Sequence, residues 1–171
     1  MNRFLLVFGF SLVTLLGCQP AEIEPVAAVS TDYSATPSTL DEFWVEAART
    51  VAEGDFDGYA ATYHKDAVLV NGLSGSTYPI ASALSGWKSG FDMTVAGKQK
   101  SNVEFRFSRR LSDASTAHET GIFNYTAEDS TGAVSQSLIH FEGLLVMHNG
   151  WKLAMEYQKS VATQEEWDAL Q

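Results

Sequence analysis

The chain has 171 residues, 21 of them acidic and 11 basic, and a formal net charge of −10. A chain of this length accommodates one ordinary domain. An acidic surface repels phosphate groups, so we expect no nucleic-acid partner. The single cysteine excludes an intrachain disulfide. The sequence carries no zinc-type Cys/His spacing, phosphate-binding glycine loop or dinucleotide fingerprint, so we expect neither a metal nor a cofactor.

The N-terminus carries the first informative pattern. Arg3 precedes an apolar run from Phe4 to Leu16, and the sequence there ends on Leu-Leu-Gly-Cys18. A basic start, an apolar stretch of about a dozen residues and a small residue at the cleavage position are typical of a secretory signal peptide. Leu-Leu-Gly-Cys18 resembles a bacterial lipobox, and the resemblance implies cleavage after residue 17 and lipidation of Cys18. A buried core segment with an incidental cysteine is the alternative.

Lipidation would also define a location. We expect an exported lipoprotein that contacts the membrane through its N-terminal lipid. Gln19 stands where an aspartate would favour retention in the inner membrane. The resemblance therefore implies the outer membrane, facing the periplasm, if the source is Gram-negative.

The segment after the cysteine resembles a linker. Residues 18 to 37 contain three prolines and show no apolar periodicity, which predicts a flexible tether of about 25 Å. An arm packed against the domain is the alternative. The folded domain is expected over residues 38 to 171.

Three helices are predicted in the first half of this domain. Thr39 and Glu42 form a capping box, and Gly54 ends the helix that they begin. A second helix is expected from Asp55, and a third after Pro79, which suits a first helical position. The apolar residues that define them recur at helical spacing: Leu40, Phe43, Trp44, Ala47, Ala48 and Val51, then Phe56, Tyr59, Ala60 and Tyr63, then Ile80, Leu84, Trp87 and Phe91.

The second half of the domain is predicted to form strands. Asn149-Gly150 is the clearest turn signal, because both residues tolerate the positive φ that a two-residue type I′ hairpin requires. Helices followed by an antiparallel meander predict an α+β fold in which the helices cover one face of a curved sheet. The predicted strands cover residues 67–70, 103–107, 114–127, 134–148 and 151–162.

The two hairpin turns predict which residues face each other. A two-residue loop at Asn149-Gly150 places Glu142 opposite Tyr157, with His140 on the same face of the sheet. A four-residue loop at 129–132 then places Glu119 opposite Glu142. A one-residue slip in that second hairpin would remove this pairing.

This face supplies the candidate catalytic residues. Two facing carboxylates, Glu119 and Glu142, would raise the pKa of one of them, so the pair is suited to general acid and base chemistry. His140 and Tyr157 flank the pair, and an imidazole and a phenol suit proton transfer at the polar end of a pocket. The alternatives are carboxylates on the solvated face, a structural histidine and a tyrosine at the rim.

Several segments together resemble one superfamily. Phe43-Trp44, Gly54-Asp-Phe56, Tyr59 to Tyr63 and Asp66 to Val70 are similar to the opening of nuclear transport factor 2-like proteins, which include ketosteroid isomerases and SnoaL-like cyclases. His148 to Leu153 resembles a Gly-Trp-Lys hairpin in their later strands. The resemblance covers about residues 39 to 163. It implies a cone-shaped α+β fold, three N-terminal helices packed on a curved antiparallel sheet around an apolar pocket, and in many members a homodimer.

The resemblance also implies a function. Many members of this branch carry His-x-Ser on the last strand, where this chain has Tyr157 and Lys159, so the usual polar pair is absent. We therefore expect the pocket to bind a small apolar or amphipathic molecule without catalysis. A cofactor-free cyclase, isomerase or dehydratase is one alternative, and an interaction domain with a filled pocket is another. The residues expected to line the pocket are Tyr59, Tyr63, Trp87, Phe123, Tyr125 and Met155.

Overall fold

The computed structural model describes residues 38–170. The predicted signal peptide and tether, with Cys18, lie outside this range. None of the helices within it has the length and apolar character needed to cross a membrane. The elements are α1 Ser38–Glu53, α2 Phe56–Ala61, β1 Tyr63–Asn71, β2 Ser76–Pro79, α3 Ile80–Val95, β3 Gln99–Ser112, β4 Thr116–Asp129, β5 Val134–Met147, β6 Trp151–Val161 and α4 Gln164–Ala169.

The predicted helices α1, α2 and α3 are confirmed, with two changes: Tyr63, predicted on the second helix, begins β1, and the predicted cap of α1 lies inside that helix. Gly54 lies beyond the end of α1 at a φ of +73°, a conformation that glycine adopts without strain. Asp55 caps α2 by accepting a hydrogen bond from the amide of Gly58 at 2.9 Å. Thr39, the predicted cap of α1, lies inside that helix and accepts a hydrogen bond from the Trp151 indole at 2.9 Å instead.

The six strands form one curved, mixed sheet in the order β2-β1-β6-β5-β4-β3. The antiparallel meander of β3 to β6 is confirmed. The prediction of an antiparallel sheet is wrong at β1, which pairs with β6 in parallel. Only a hairpin connection forces neighbouring strands to be antiparallel, and β1 is separated from β6 by α3 and four other strands.

The hairpin between β5 and β6 has the predicted turn residues but a longer loop. Asn149 and Gly150 both have positive φ, at 53° and 97°. The strands, however, pair from Met147 with Trp151, so the loop has three residues rather than two. A bulge further along β6 restores the predicted alignment of Glu142 with Tyr157.

The predicted register of β4 against β5 is wrong by one residue. The loop covers five residues, 129–133, because the Asp129 carboxylate accepts hydrogen bonds from the amides of Thr131 at 2.8 Å and Ala133 at 3.1 Å. Glu119 therefore pairs with Gly143, not with Glu142. Since side chains alternate along a strand, Glu119 and Glu142 lie on opposite faces of the sheet.

The inner face of the sheet packs against α1 and α3. Leu40 of α1, Leu69 of β1 and Phe141 of β5 are at most 1% exposed, and burying a side chain of this kind contributes about 1.5–3 kcal/mol. The outer face is partly covered by α4. Its Trp167 packs in a second, smaller cluster that includes Leu138 of β5, so β5 carries apolar residues on both faces.

Candidate ligand-binding cavity

A cavity of about 380 Å³ lies between the helices and the inner face of the sheet. Residues of α1, α2 and α3 form one side of it, and residues of every strand except β2 form the other. This volume is within the range of small-molecule sites in proteins.

Five of the six residues expected to line the pocket do face this cavity, while Met155 does not. Met155 pairs with Leu144, whose side chain is 38% exposed on the outer face. The bulge in β6 shifts the alternation of that strand, so that its next cavity residues after Leu153 are Glu156 and Gln158. The five that line the cavity are Tyr59, Tyr63, Trp87, Phe123 and Tyr125.

Aromatic rings form most of the cavity wall. Tyr59 packs edge-on against Trp87, with ring centroids 6.1 Å apart, and lies 5.2 Å from the Phe91 ring. On the sheet side, Phe123 lies 5.9 Å from Phe141. Tyr59, Trp87 and Phe123 are only half-buried although each belongs to the interior. The space in front of these rings is the cavity itself.

One end of the cavity carries a polar cluster built on Glu156, which is 8% exposed. The Tyr63 hydroxyl donates a hydrogen bond to its Oε2 atom, and Gln158 Nε2 donates to its Oε1 atom at 2.8 Å. The hydroxyls of Tyr59 and Tyr63 are 3.2 Å apart. A chain of hydrogen bonds therefore runs from α2 through β1 to the carboxyl group on β6.

Burial decides the ionisation of this cluster. Desolvation raises the pKa of Glu156 above its ordinary value, and the hydrogen bonds from Tyr63 and Gln158 offset only part of that rise. Burial and the neighbouring Glu156 charge also raise the pKa of Tyr59 and Tyr63. Both phenols stay protonated at neutral pH, so Glu156 is the member of the cluster that changes charge most readily.

A second polar group lies against the cavity around Tyr125. The Ser101 hydroxyl is 3.0 Å from the Thr94 hydroxyl and 3.3 Å from the Tyr125 hydroxyl. Gln99 Nε2 donates to Ser101 Oγ at 2.7 Å. These side chains form hydrogen bonds with one another and include no carboxyl, ammonium, guanidinium or imidazole group.

Charge is distributed unevenly around the cavity. Within residues 38–170, its lining contains one carboxyl group, that of Glu156, and no Lys, Arg or His. The same residues contain no cluster of three or more His, Cys, Asp or Glu side chains that could hold a metal ion.

Glu119 is fully buried but belongs to a different part of the core. Trp44 Nε1 donates a hydrogen bond to its Oε2 atom, and Arg110 Nε donates to its Oε1 atom at 2.5 Å. The Arg110 guanidinium also pairs with Asp41 at 2.6 Å and lies 4.3 Å from the Phe107 ring. The charge of Glu119 is thus already neutralised by Arg110, and Glu119 does not line the cavity.

The other three predicted catalytic residues lie on the outer face. Glu142 accepts from Lys159 Nζ at 2.6 Å and lies 3.2 Å from His118 Nε2. The hydrogen bond from Lys159 lowers the pKa of Glu142, the opposite of the predicted shift. His140 lies 3.4 Å from Glu166 of α4, and Tyr157 pairs with Glu142 across the strands. The one-residue slip between β4 and β5 places Glu142, His140 and Tyr157 on the face of the sheet away from the cavity, while Glu119 stays on the inner face beside Trp44.

Glu156 was missed at the level of sequence. The turn at Asn149-Gly150 predicts a strand with Trp151, Leu153 and Met155 on its inner face. Because side chains alternate along a strand, this places Glu156 on the solvent-facing side. Only the bulge reverses that assignment. β6 also contains Lys152, Gln158, Lys159 and Ser160, so nothing in the sequence distinguishes Glu156 from its polar neighbours as a buried carboxyl group.

The fold recurs among solved structures. A ketosteroid isomerase-like protein from Erwinia carotovora atroseptica is 16% identical with a TM-score of 0.53, covering 74% of this chain and 95% of that chain. An NTF-2 like protein of unknown function from Shewanella oneidensis is 13% identical with a TM-score of 0.54, covering 70% and 95%. ActVI-ORFA from Streptomyces coelicolor is 16% identical with a TM-score of 0.57, covering 75% and 96%.

These likenesses define the class of protein at the level of architecture. The chain has the nuclear transport factor 2-like fold, as the sequence resemblance implied. No protein-family model matches the sequence, and no curated protein does so. Identities of this size establish the fold alone, and function has to be argued from the cavity.

Proposed function

We propose that this chain is a lipid-anchored envelope protein whose single domain binds a small apolar or amphipathic molecule in the cavity, without catalysis. The observation that carries the proposal is the cavity itself, about 380 Å³ with aromatic walls and one compact polar cluster. Small-molecule sites typically combine such walls with a few polar groups that orient the ligand.

The distribution of acid and base groups supports binding rather than turnover. General acid and base catalysis by two residues needs both of them within hydrogen-bond reach of the substrate. Of the four predicted catalytic residues, none lines the cavity, and Glu156 is the one carboxyl group there among residues 38–170. Its nearest titratable neighbours, Tyr59 and Tyr63, stay protonated at neutral pH because burial raises the pKa of each.

Two glycines of α3 provide a matched test of cavity binding. A side chain added at Gly90 would extend toward Tyr125 in the cavity, with the nearest atoms 4.0 Å from the new Cβ atom. A side chain added at Gly86 meets nothing within 4 Å and lies at an exposed position. Both changes remove a helix-interior glycine, which favours the helix by up to about 1 kcal/mol. Neither is therefore expected to unfold the domain.

We expect small molecules to copurify with the full-length chain and to be lost from Gly90→Leu but retained by Gly86→Leu. Mass spectrometry of denatured, purified protein measures this. Equal recovery from both variants would place the ligand elsewhere, and no recovery from any of the three proteins, together with no binding of apolar probes, would contradict the proposal.

The anchor is tested separately. Wild-type protein expressed in a host with the lipoprotein pathway should fractionate with membranes and carry acyl groups on Cys18, because two or more chains hold a protein stably where one does not. Cys18→Ala should be released or mislocalised. An unlipidated N-terminal peptide from the wild type would remove the anchor from the proposal without affecting the cavity.

A cofactor-free isomerase, cyclase or dehydratase is the second candidate function. The observation in its favour is that burial raises the pKa of Glu156, since a carboxyl group with a raised pKa is suited to exchange protons near neutral pH. Turnover of a copurified molecule by the wild type, lost in Glu156→Gln and kept in Glu142→Gln, would favour this candidate. Unchanged recovery of the molecule after incubation would favour binding alone.

A further inference from the structure

We propose that the ligand of the cavity is a cation, namely an apolar amine whose ammonium group lies beside Glu156 and whose hydrocarbon part fills the aromatic space. This inference rests on the proposed function, because it requires that the cavity bind a small molecule. It names the chemical class of that molecule.

The protons of the polar cluster point toward the carboxyl group. The Tyr63 hydroxyl donates to Glu156, so its single proton is used. In the 3.2 Å contact between the two hydroxyls, Tyr59 must therefore be the donor. Gln158 donates to the other oxygen of Glu156 at 2.8 Å. The cluster thus presents mainly acceptors to the cavity, and an acceptor-rich site is complementary to a ligand that brings donors.

The protein supplies no positive charge at this position. Among residues 38–170, the two donors to Glu156 are both neutral, and the lining contains no Lys, Arg or His. A buried carboxylate without a counter-ion is costly, and a cation from outside removes that cost. An ammonium group carries three N–H donors and one positive charge, which matches what the cluster lacks.

The walls suit the same ligand. Aromatic faces attract cations through their quadrupole when the cation lies within about 6 Å of the ring centre. Tyr59, Trp87 and Phe91 line one side of the cavity. The centroid of the Tyr59 ring lies 6.1 Å from that of Trp87 and 5.2 Å from that of Phe91. A carboxylate inside an aromatic enclosure is a combination that selects an organic cation over a neutral or anionic molecule of the same shape. The net charge of the whole chain, −10, also attracts cations to the protein.

A cationic ligand predicts a definite pH dependence. The titratable groups that face Glu156 from neighbouring elements are Tyr63 of β1 and Tyr59 of α2, and Tyr125 of β4 lies further along the cavity. The lining residues that α1, α3, β3 and β5 contribute are not titratable. Amine affinity should therefore rise with pH as Glu156 loses its proton. A neutral ligand that accepts a proton from Glu156 would show the reverse.

Three probes with one hydrocarbon skeleton test the proposal: aminoadamantane, adamantanol and adamantanecarboxylate. Isothermal titration calorimetry on the full-length chain gives the affinity of each. At about pH 8 a simple alkylammonium keeps its proton, and we expect aminoadamantane to bind about tenfold or more tighter than adamantanol. The carboxylate should bind most weakly. Aminoadamantane affinity should increase between about pH 5 and about pH 8.

The outcomes separate this inference from the function on which it rests. Adamantanol binding as tightly as aminoadamantane, or amine affinity falling with rising pH, would overturn the cationic class while leaving cavity binding intact. Absence of binding by all three probes would overturn the cationic class, and together with the absence of copurified molecules it would overturn cavity binding as well. Glu156→Gln should remove the preference for the amine and keep adamantanol binding. If that variant does not fold, the comparison of the three probes and the pH series on the wild type decide the matter by themselves.

Discussion

Among residues 38–170, two carboxyl groups are buried, and they differ in whether the fold supplies a counter-ion. Glu119 is 0% exposed and Glu156 is 8% exposed. Glu119 is held by the charged guanidinium of Arg110 and by the indole of Trp44. Glu156 is held by two neutral donors and lines the cavity of about 380 Å³. The fold supplies the counter-ion of Glu119, whereas Glu156 contacts no cationic side chain among residues 38–170.

The difference separates the structural role of Glu119 from the binding role that we propose for Glu156. A buried ion pair whose members are both supplied by the fold contributes to a defined core but has nothing left to offer a ligand. A carboxyl group that lacks its counter-ion destabilises the free protein at the pH where it ionises, and a bound cation restores that loss. Under the proposed function, the same side-chain type therefore serves two purposes according to its neighbours.

The largest effect is expected from removing the partner of Glu119. Arg110→Met should destabilise the domain by about 3–5 kcal/mol, because it leaves an uncompensated charge in the core. Urea unfolding followed by circular dichroism measures the loss. Arg49→Met is the control, since Arg49 pairs with Glu46, Glu53 and Asp55 at the surface and such pairs contribute little. Similar small losses for both variants would show that Glu119 does not need its cation.

A smaller loss is expected from the second donor to Glu119. Trp44→Phe keeps an aromatic ring in the core but removes the indole N–H, and should cost about 1–3 kcal/mol. Trp151→Phe removes an indole N–H that donates to the neutral Thr39 hydroxyl at 2.9 Å and should cost less. Equal losses would indicate that the charge of Glu119 adds nothing to its hydrogen bond with Trp44.

Glu156→Gln should change stability in the opposite direction. Burial raises the folded pKa of Glu156 above its unfolded value, so the folded state binds the proton more tightly. The contribution of the wild-type residue is therefore fully present below the unfolded pKa and is lost as pH rises through the folded pKa. At about pH 8 the glutamine variant should be more stable by on the order of 1 kcal/mol, as measured by thermal unfolding. The gain should disappear near pH 4, and a loss of stability at pH 8 would show that Glu156 already has a counter-ion.

The smallest effect is expected at Glu142, with the sign reversed again. The hydrogen bond from Lys159 depresses the folded pKa of Glu142, so its stabilising contribution is present above the unfolded pKa and is lost as pH falls. Glu142→Gln should therefore destabilise the domain at about pH 7 by less than about 1 kcal/mol, since the group is partly solvated. Thermal unfolding in acid should show no difference from the wild type. A stabilising effect at neutral pH would restore the inward pair with Glu119 that the sequence suggested.

The fold could be predicted because its signals are long and redundant. The apolar spacing of α1, the glycine at its end and the proline before α3 each act locally, and several of them agree. The antiparallel meander followed from strands of more than ten residues separated by turn residues. The parallel pairing of β1 with β6 could not be predicted, because it joins strands that no local turn connects.

The site could not be predicted because it depends on single-residue registers. A loop of five residues in place of four, at residues 129–133, reversed the faces of β5. Alternation did not correct the error, because β5 is apolar on both faces: Leu138 packs against α4 and Ile139 lines the cavity. The bulge in β6 then brought Glu156 inward. Aromatic cavity residues on α2, α3 and β4 were unaffected by either shift, and these were predicted at the level of sequence.

The position of Trp87 has an optical consequence. The chain has four tryptophans, and Trp44, Trp151 and Trp167 are buried at 4% to 6% exposure. Trp87 alone among them is half-buried, because its ring faces the cavity. Water in contact with that indole shifts its emission to longer wavelength, and a ligand that displaces the water should shift the emission back. Under the proposed function, Trp87 is therefore an intrinsic fluorophore beside the bound ligand, and occupancy of the cavity can be followed without attaching a label.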